Sequence, residues 1–223
     1  MSKLQREFIR FSVSSGVLRF GEFVTKAGRK SPYFFNAGMF NDGESLGQLA
    51  DFYAQALIDS GIEFDMLYGP AYKGIALVAA TSIALAKRGR NVPFAFNRKE
   101  VKDHGEGGST VGAKLQGNVV IVDDVISAGT SVNESVQIIR AAGATPCAVL
   151  IALDRMERSG KDDALSDRSA VEDVGLMYQM PVISIANLDN LLCFLSYANA
   201  DPELVKHKES VAAYREKYGV RLG

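Results

Sequence analysis

The chain has 223 residues, of which 47% are hydrophobic and 23% are charged, a composition typical of a globular protein with a sizeable buried core. Its 25 basic and 26 acidic residues give a formal net charge of -1, which excludes a general attraction to nucleic acid or to an acidic membrane surface. Any anionic ligand must therefore be bound by a local cluster of cations.

The N-terminus, the apolar runs and the cysteines indicate the cellular compartment of the protein. The N-terminus, MSKLQREFIRF, is charged and lacks the apolar core of a signal peptide. The longest apolar runs are shorter than the ~20 residues that cross a bilayer. Cys147 and Cys193 lie far apart and show no metal-ligand spacing. We therefore expect a cytoplasmic protein without a membrane or nucleic-acid partner.

Predicted helices and strands alternate along the chain. Apolar residues at helical spacing predict helices over residues 44–60, 74–88 and 130–142, with Gly61 and Gly143 as stops. Short apolar runs predict strands in FDMLYGP and over residues 92–96, 118–122 and 146–153. The segment from Asn97 to Thr110 is polar and glycine-rich, which predicts a loop.

This alternation predicts an α/β fold with a mostly parallel sheet flanked by helices. No linker or repeat interrupts it, so we expect a single domain over residues 1–223. Residues of about 1–40 and 155–180 do not follow the alternation and are expected to fold over one edge of the sheet. Ligands of such sheets bind beyond the carboxyl ends of the strands. These ends are predicted after Tyr68, Phe96, Val122 and Leu153.

The segment VVIVDDVISAGTS carries the strongest functional pattern. Asp123 and Asp124 directly follow a predicted buried strand, and small residues over 127–131 lead into a helix. Backbone N–H groups at such a helix N-terminus can bind a phosphate, while the two carboxylates can accept hydrogen bonds from vicinal sugar hydroxyls. The pattern therefore predicts a ribose 5-phosphate site. The alternative is an ordinary strand-to-helix turn with Thr130 or Ser131 as the N-cap.

Cations occupy two other predicted turns. The run RKEVKDHGEGGST contains Arg98, Lys99, Lys102 and His104 before several glycines, a pattern of a loop that could close over a polyanion. The turn YGPAYKG places Lys73 between a strand and a buried helix. The alternatives are a solvated hairpin and an ordinary surface lysine.

Two further segments carry candidate ligand contacts. FGEFVTKAGRKSPYFFNAG contains Lys26 and the pair Phe34–Phe35, and could equally be an aromatic cluster that packs an N-terminal arm. Arg155 follows the predicted strand that ends at Leu153, and its planar guanidinium suits a carboxylate. A surface arginine is the alternative.

The segment VVIVDDVISAGTS resembles the phosphoribosyl-pyrophosphate motif of the type I phosphoribosyltransferases. In that family the loop binds the 5-phosphate and the two acids contact the ribose hydroxyls. The resemblance implies the family's fold, a central mostly parallel sheet flanked by helices. A small hood would be built from the N-terminal segment and from residues after the last core strand.

Other segments are similar to the orotate-specific members of the family. FNRKEVKDHGEGG resembles their catalytic loop, which reaches into the neighbouring subunit's site and so implies a homodimer with shared active sites. By the same resemblance, Tyr72 and Lys73 would bind pyrophosphate and Lys26 would approach the reacting centre. Phe34 and Phe35 would line the pyrimidine pocket. Arg155 would bind the orotate carboxylate, with Ser127 near the base.

The resemblance implies a glycosyltransferase (pentosyltransferase) of pyrimidine biosynthesis that transfers ribose 5-phosphate from phosphoribosyl pyrophosphate (PRPP) to N1 of orotate. The catalytic candidates are Lys26, Lys73, Lys99, Lys102, His104, Asp123 and Asp124. The further PRPP-binding candidates are Tyr72, Arg98, Val125, Ile126, Ser127, Ala128, Gly129, Thr130 and Ser131. Mg²⁺ is expected to arrive with the pyrophosphate near Asp123 and Asp124, without a direct protein ligand.

Two other functions remain open at this point. One is a phosphoribosyltransferase that acts on a purine or on uracil, against which Arg155 and Phe34–Phe35 argue. The other is a non-catalytic regulator that senses PRPP while binding nucleic acid. The balanced charge and the intact basic loop argue against the regulator.

Overall fold

A computed structural model describes residues 1–25, 28–102, 108–161, 164–197 and 201–220; of residues 100–102, 108, 109 and 161 it describes the backbone alone. The helices are α1 (Lys3–Ser14), α2 (Gly43–Asp59), α3 (Lys73–Lys87), α4 (Thr130–Ala141), α5 (Ala170–Tyr178), α6 (Leu188–Tyr197), α7 (Pro202–Val205) and α8 (Lys208–Tyr218). The strands are β1 (Leu18–Val24), β2 (Lys30–Phe35), β3 (Met66–Gly69), β4 (Phe94–Lys102), β5 (Gly108–Gly112), β6 (Asn118–Val122), β7 (Thr145–Asp154), β8 (Arg158–Lys161), β9 (Ala164–Ser169) and β10 (Val182–Asn187).

A six-stranded sheet forms the centre of the fold, in the order β10-β7-β6-β3-β4-β5. The first five of these strands run parallel, and β5 pairs antiparallel with β4 at one edge. The predicted α/β class and mostly parallel sheet are therefore confirmed. The predicted helices over 44–60, 74–88 and 130–142 correspond to α2, α3 and α4.

Side chains of the central strands alternate between two apolar cores. Val120 and Val122 of β6 belong to the core that α2 and α3 cover, whereas Val119 and Ile121 belong to the core beside α4. All four side chains are fully buried. Coverage on both faces explains why this strand is apolar at consecutive positions, since successive residues point to opposite faces.

The prediction of a loop from Asn97 to Thr110 is wrong at both ends of that segment, which are β-strands. Strand β4 continues to Lys102 and pairs with β5 at Ala95, Phe96, Asn97 and Lys102, with an irregular register between Asn97 and Lys102. Residues 103–107 lie outside the described residues. The hairpin forms through backbone pairing at a sheet edge, where side chains need not be apolar, so hydrophobic periodicity gives no sign of it.

A core strand was also missed near the C-terminus. The sequence pattern predicts β7 as the last strand of the sheet. This prediction is wrong, because β10 follows it in the chain and pairs with it in parallel. The burial of β10 is mixed, and only Ile185 and Ala186 are fully covered. An edge strand lacks the continuous apolar run that made β6 and β7 recognisable.

The two segments expected outside the alternation lie together. Helix α1 and the hairpin β1–β2 form the first, and hairpin β8–β9 with α5 forms the second. Both α1 and α5 contact β10, the edge strand. The buried Arg29 joins the segments, since its Nη2 donates to the carbonyls of Arg158 at 3.0 Å and Gly160 at 2.6 Å. We call this assembly the hood.

Helix α3 begins in direct contact with the end of β3. A Cβ atom on Gly69 would lie 2.1 Å from the carbonyl oxygen of Gly74, in the first turn of α3. A Cβ on Gly74 would in turn lie 2.6 Å from Cδ of Pro70. The close approach of these backbones therefore requires glycine, and it fixes the position of Lys73 at the start of the helix.

We expect Gly69→Ala to lower the free energy of unfolding by about 2 kcal/mol or more, because the new methyl group must displace backbone. Gly47→Ala in α2 is the matched control, since a Cβ there meets no atom within 4 Å. The control should raise stability by about 0.5–1 kcal/mol. Urea unfolding monitored by circular dichroism measures both, and a Gly69→Ala midpoint equal to that of the unsubstituted protein would contradict the packing described.

Candidate active site

Three strand-to-helix or strand-to-hood turns meet at the carboxyl edge of the sheet. They follow the neighbouring strands β3, β6 and β7. The turns contain Lys73, the pair Asp123–Asp124, and Arg155. The structure thus brings together residues that are 82 positions apart in the chain, from 73 to 155.

Asp123 is held by contacts to its backbone and its side chain. Its carbonyl accepts a hydrogen bond from the Tyr53 hydroxyl at 2.8 Å, and its N–H donates to Leu150 at 3.0 Å. One carboxylate oxygen accepts the Ser131 hydroxyl at 2.8 Å, and the other accepts the N–H of Asp124 at 2.9 Å. The carboxylate therefore has a fixed orientation before any ligand binds.

Both acids are largely buried. Asp123 and Asp124 are 8% and 6% exposed. Burial, and then the negative charge of Asp124, raise the pKa of Asp123 to about 6, while the hydrogen bond from Ser131 acts to lower it. Two adjacent buried carboxylates favour a positively charged or hydroxyl-rich ligand beside them.

Lys73 supplies a cation to this pair. Its Nζ lies 2.6 Å from Oδ2 of Asp124, and its side chain is half exposed. The Asp124 backbone is fixed in turn, since its carbonyl accepts the N–H of Ala152 at 2.9 Å. Lys73 is the first residue of α3, and its predicted contact with pyrophosphate stays a prediction.

Two helices that start at this edge, α3 and α4, lack side-chain caps. Ser2, Asp42 and Ser169 cap α1, α2 and α5 through their side chains, but neither α3 nor α4 has a side-chain cap. The α8 helix also lacks one. Gly129 occupies the N-cap of α4 with φ 73°, a left-handed conformation that glycine adopts readily. The first-turn N–H groups of α3 and α4 therefore remain available to an anion.

The loop between the acids and α4 presents small side chains to solvent. Ser127, Ala128 and Thr130 are exposed, whereas Val125 is half-buried and Ile126 packs into the core beside α4. The alternative in which Thr130 or Ser131 is the N-cap is wrong, since Gly129 holds that position and Ser131 bonds to Asp123.

The basic residues of the β4–β5 hairpin are described only in part. Lys99 Nζ lies 3.9 Å from Oε2 of Glu134 in α4, and both side chains are about half exposed. Arg98, on the opposite face of β4, is half-buried. The backbone of Lys102 ends the strand, but its side chain is outside the described atoms. Lys26 and His104 are also outside the described residues. Tyr72 is 73% exposed at the start of α3.

The predicted pyrimidine contacts lie in the hood. Phe34 and Phe35 point to opposite faces of β2, because side chains alternate along a strand. Phe34 is half-buried and stacks on Phe23 with ring centroids 5.4 Å apart. Phe35 packs in the core against Phe8. The prediction that this pair lines a pyrimidine pocket stays a prediction.

Arg155, after the end of β7, contacts Glu157 and Tyr33. Its Nε and Nη2 donate to Oε1 of Glu157 at 2.9 Å and 2.6 Å. The guanidinium lies over the ring of Tyr33, 5.0 Å from its centroid. The surface-arginine alternative is wrong, since the Arg155 side chain is only 20% exposed.

The described residues contain neither a cluster of metal-ligating side chains nor a helix able to cross a membrane. No group of three or more His, Cys, Asp or Glu side chains there is placed to hold a metal ion. Within the same residues, every helix falls short of the length and apolar character that spanning a bilayer requires.

Comparison with known proteins assigns this chain to a family. A family model described as "Phosphoribosyl transferase domain" matches residues 36–179. The chain is 72% identical over 220 residues to an orotate phosphoribosyltransferase of Herminiimonas arsenicoxydans, covering 99% of this chain and 100% of that protein. The chain belongs to the orotate phosphoribosyltransferase family.

Other relatives agree with this placement. An orotate phosphoribosyltransferase of Ralstonia pickettii (strain 12J) is 70% identical, covering 98% of this chain and 97% of its own. A crystal structure of the orotate phosphoribosyltransferase from Francisella tularensis aligns with a TM-score of 0.84 at 40% identity, over 96% of this chain and 99% of that one. The type I phosphoribosyltransferase fold, a resemblance in the sequence, is therefore confirmed.

Several residues of the site were not found from the sequence. Tyr53 reaches the acid pair from the middle of α2, and Glu157, Tyr33 and Tyr214 surround Arg155. Tyr53 occupies a core position of an amphipathic helix, so its pattern indicates only packing. Glu157 lies in a polar stretch to which the sequence assigned no role, and its partners are up to 128 positions away, at Arg29.

Ser131→Ala should raise the pKa of Asp123 above its value of about 6, because the variant removes a hydroxyl that stabilises the ionised carboxylate. The carboxyl titration of Asp123 in a ¹³C NMR experiment measures this directly. Ser135→Ala is the control, since the Ser135 hydroxyl donates to the carbonyl of Ser131 and does not touch the acid. An Asp123 midpoint that moves down, or stays in place, would show that the Ser131 contact does not set this pKa.

Proposed function

We propose that the chain transfers ribose 5-phosphate from PRPP to N1 of orotate, forming orotidine 5′-phosphate and pyrophosphate in pyrimidine biosynthesis. The observation that carries the proposal is the acid pair Asp123–Asp124 beside the uncapped start of α4, with the Lys73 ammonium at 2.6 Å. The full-length relatives named as orotate phosphoribosyltransferases support orotate as the acceptor.

The 5-phosphate would bind at the start of α4. There it would accept hydrogen bonds from backbone N–H groups and from the hydroxyls of the loop. The donors come from the segment 125–131, whose members are Val125, Ile126, Ser127, Ala128, Gly129, Thr130 and Ser131. The exposed small side chains over 127–130 leave room for a phosphate to approach the backbone.

The acid pair would bind the ribose. Asp123 and Asp124 can accept hydrogen bonds from the two ring hydroxyls, and their negative charge favours positive character at C1 as the bond to pyrophosphate breaks. The new bond forms between C1 and N1 of orotate, the pyrophosphate leaves with the electron pair of the old bond, and the N1 proton passes to solvent. No residue needs to act as a covalent nucleophile.

Cations would stabilise the departing pyrophosphate. Lys73 lies at the site, and Tyr72 precedes it at the start of α3. The other proposed contacts come from the N-terminal segment and the β4–β5 hairpin, and they are Lys26, Arg98, Lys99, Lys102 and His104. Neutralising charge on a leaving group is worth most in a site from which water is excluded.

The donor set fits a Mg²⁺ ion that is bound mainly by substrate. Asp124 is paired with Lys73 and Asp123 accepts two hydrogen bonds, so too few carboxylate oxygens remain for an all-protein site. Bound to pyrophosphate oxygens and water, the ion would neutralise charge there. Asp123 and Asp124 are the acids nearest to such an ion.

The orotate ring would lie between the hood and the loop after β6. Arg155 would bind its carboxylate, Phe34 and Phe35 would border the ring, and Ser127 would lie near the base. The Arg155 guanidinium is oriented by Glu157 and Tyr33, which supports a role in recognising a planar anion.

We also propose a homodimer with shared active sites. Strand β4 pairs with β3 at Phe94, Ala95 and Phe96, whereas at Asn97 and Lys102 it pairs with β5 alone. The hairpin thus continues past the neighbouring strand, which suits a loop that completes the site of a second subunit. We further propose a single cytoplasmic domain over residues 1–223, with no nucleic-acid or membrane partner, in keeping with the formal net charge of -1.

Pyrophosphate release on mixing the protein with PRPP and orotate tests the proposal. Release should require orotate and depend on Mg²⁺, and uracil or adenine should give at most a few per cent of the rate. Release with adenine or uracil but not orotate would instead support a phosphoribosyltransferase of another base. Binding of PRPP without release for any base would support the non-catalytic regulator.

Lys102→Ala should lower kcat by at least ~100-fold, the scale lost with one preorganised electrostatic contact. Lys114→Ala is the matched control, because Lys114 is an exposed lysine after the same hairpin. Steady-state rates at saturating PRPP and orotate measure both variants. If Lys102→Ala and Lys114→Ala turn over equally fast, the hairpin is not catalytic.

A further inference from the structure

Arg155 is bound along only one of its edges. A single oxygen, Oε1 of Glu157, accepts from both Nε and Nη2 of Arg155, at 2.9 Å and 2.6 Å. Nη2 also lies 3.5 Å from the Ser31 hydroxyl, a long contact. Nη1 has no hydrogen-bond partner among the residues described. On the edge formed by Nη1 and Nη2, the long contact to Ser31 is thus the only one that the described residues make, and a ligand can replace it.

The free edge has the geometry of a carboxylate-binding fork. A guanidinium can present two parallel N–H groups from Nη1 and Nη2 to the two oxygens of one carboxylate. The Tyr33 ring below the guanidinium, 5.0 Å from centroid to Cζ, restricts tilting of the plane. Arg155 thus points a preformed fork away from Glu157.

Glu157 is itself fixed by the hood and by the C-terminal helix. The Tyr214 hydroxyl of α8 donates to Oε1 at 3.0 Å, and the Tyr33 hydroxyl of β2 lies 3.5 Å from the same oxygen. Nη1 of the buried Arg29 lies 3.7 Å from the other oxygen, Oε2. Burial, and then the charge of Glu157, raise the pKa of Tyr214 to about 12, so this hydroxyl stays protonated and remains a donor.

The backbone around Glu157 is anchored as well. Glu157 forms an isolated antiparallel bridge with Gly219, and the N–H of Val220 donates to the carbonyl of Met156 at 2.9 Å. The segment after β7 is therefore held by residues near the C-terminus. Neither the side chain nor the backbone of Glu157 can move without disturbing these contacts.

We propose that Glu157 is a positioning residue, which holds Arg155 by its Nε edge so that the opposite edge meets the carboxylate of orotate. This inference rests on the proposed function, in which Arg155 is the carboxylate ligand. A residue that acts in this way changes the affinity for orotate and leaves the binding of PRPP and the chemical step nearly unaffected.

Glu157→Gln keeps the size and one acceptor oxygen but removes the charge that holds the guanidinium. We expect KM for orotate to rise about tenfold, the scale of a lost charge-assisted hydrogen bond. KM for PRPP and kcat should change by less than about twofold. Glu216→Gln is the matched control, since Glu216 is an exposed glutamate on α8, and it should leave all three parameters unchanged.

A double-mutant cycle separates positioning from a general structural role. If Glu157 acts through Arg155, Glu157→Gln should change KM for orotate by less than about twofold in an Arg155→Ala background. Tyr214→Phe is the milder second variant, because it keeps Glu157 and removes only one donor. It should raise KM for orotate in the same direction by a smaller factor, even if Glu157→Gln fails to fold.

The outcomes are distinguishable from failure of the proposed function. If the unsubstituted protein releases no pyrophosphate with orotate, both the function and the inference fail. If it is active but Tyr214→Phe and Glu157→Gln leave KM for orotate unchanged, only the inference fails. Equal increases in both KM values, or an undiminished effect of Glu157→Gln without Arg155, would also overturn it, since these results indicate a structural role alone.

Discussion

The burial of two adjacent carboxylates at the end of β6 is the constraint on which the rest of the site depends. Asp123 and Asp124 are 8% and 6% exposed, and unpaired buried charges are strongly unfavourable. The fold must therefore bring compensating groups to one point. They are the Lys73 ammonium at the start of α3 and the Ser131 hydroxyl in α4, while the Tyr53 hydroxyl in α2 fixes the Asp123 backbone by donating to its carbonyl. The direct packing of Gly69 on Gly74 contributes to this arrangement, since it fixes where α3 begins and therefore where Lys73 lies.

The sequence predicted the parts of this arrangement that are local in the chain. The apolar run before Asp123 marked a strand covered on both faces, and the small residues after Asp124 marked the start of a helix. Both follow from backbone and burial rules that act over a few residues. The phosphate site at that helix start stays a prediction. For Lys73 and Asp124, the sequence predicted only that both lie at the same edge of the sheet. Their 2.6 Å contact depends on how α3 packs against the sheet, which the sequence pattern does not give. Ser131 was assigned to phosphate binding, and its bond to Asp123 was not foreseen.

The sequence did not predict the edge strands of the central sheet or the contacts between residues far apart in the chain. The hairpin β4–β5 and the strand β10 lie at the two edges of the sheet, where one-sided pairing leaves no continuous apolar pattern. Glu157 shows the second difficulty. Its donors Tyr33 and Tyr214 lie 124 and 57 positions away, so nothing local distinguishes it from a solvated glutamate. The family resemblance named Arg155, but it did not supply the residues that orient it.

Two acid–cation pairs lie at the proposed substrate region, and their difference in burial supports a different proposed role for each. In the Lys73–Asp124 pair the lysine side chain is 52% exposed, so solvent screens the pair and the ammonium can exchange Asp124 for an incoming phosphate oxygen. In the Arg155–Glu157 pair the side chains are only 20% and 16% exposed, and Tyr33 and Tyr214 also hold the glutamate. Breaking such a pair would leave a buried charge without a partner, which is strongly unfavourable. Arg155 can thus keep Glu157 while it binds a second carboxylate at its open edge. The first pair suits a leaving group that must be released, and the second suits a base whose orientation must be fixed.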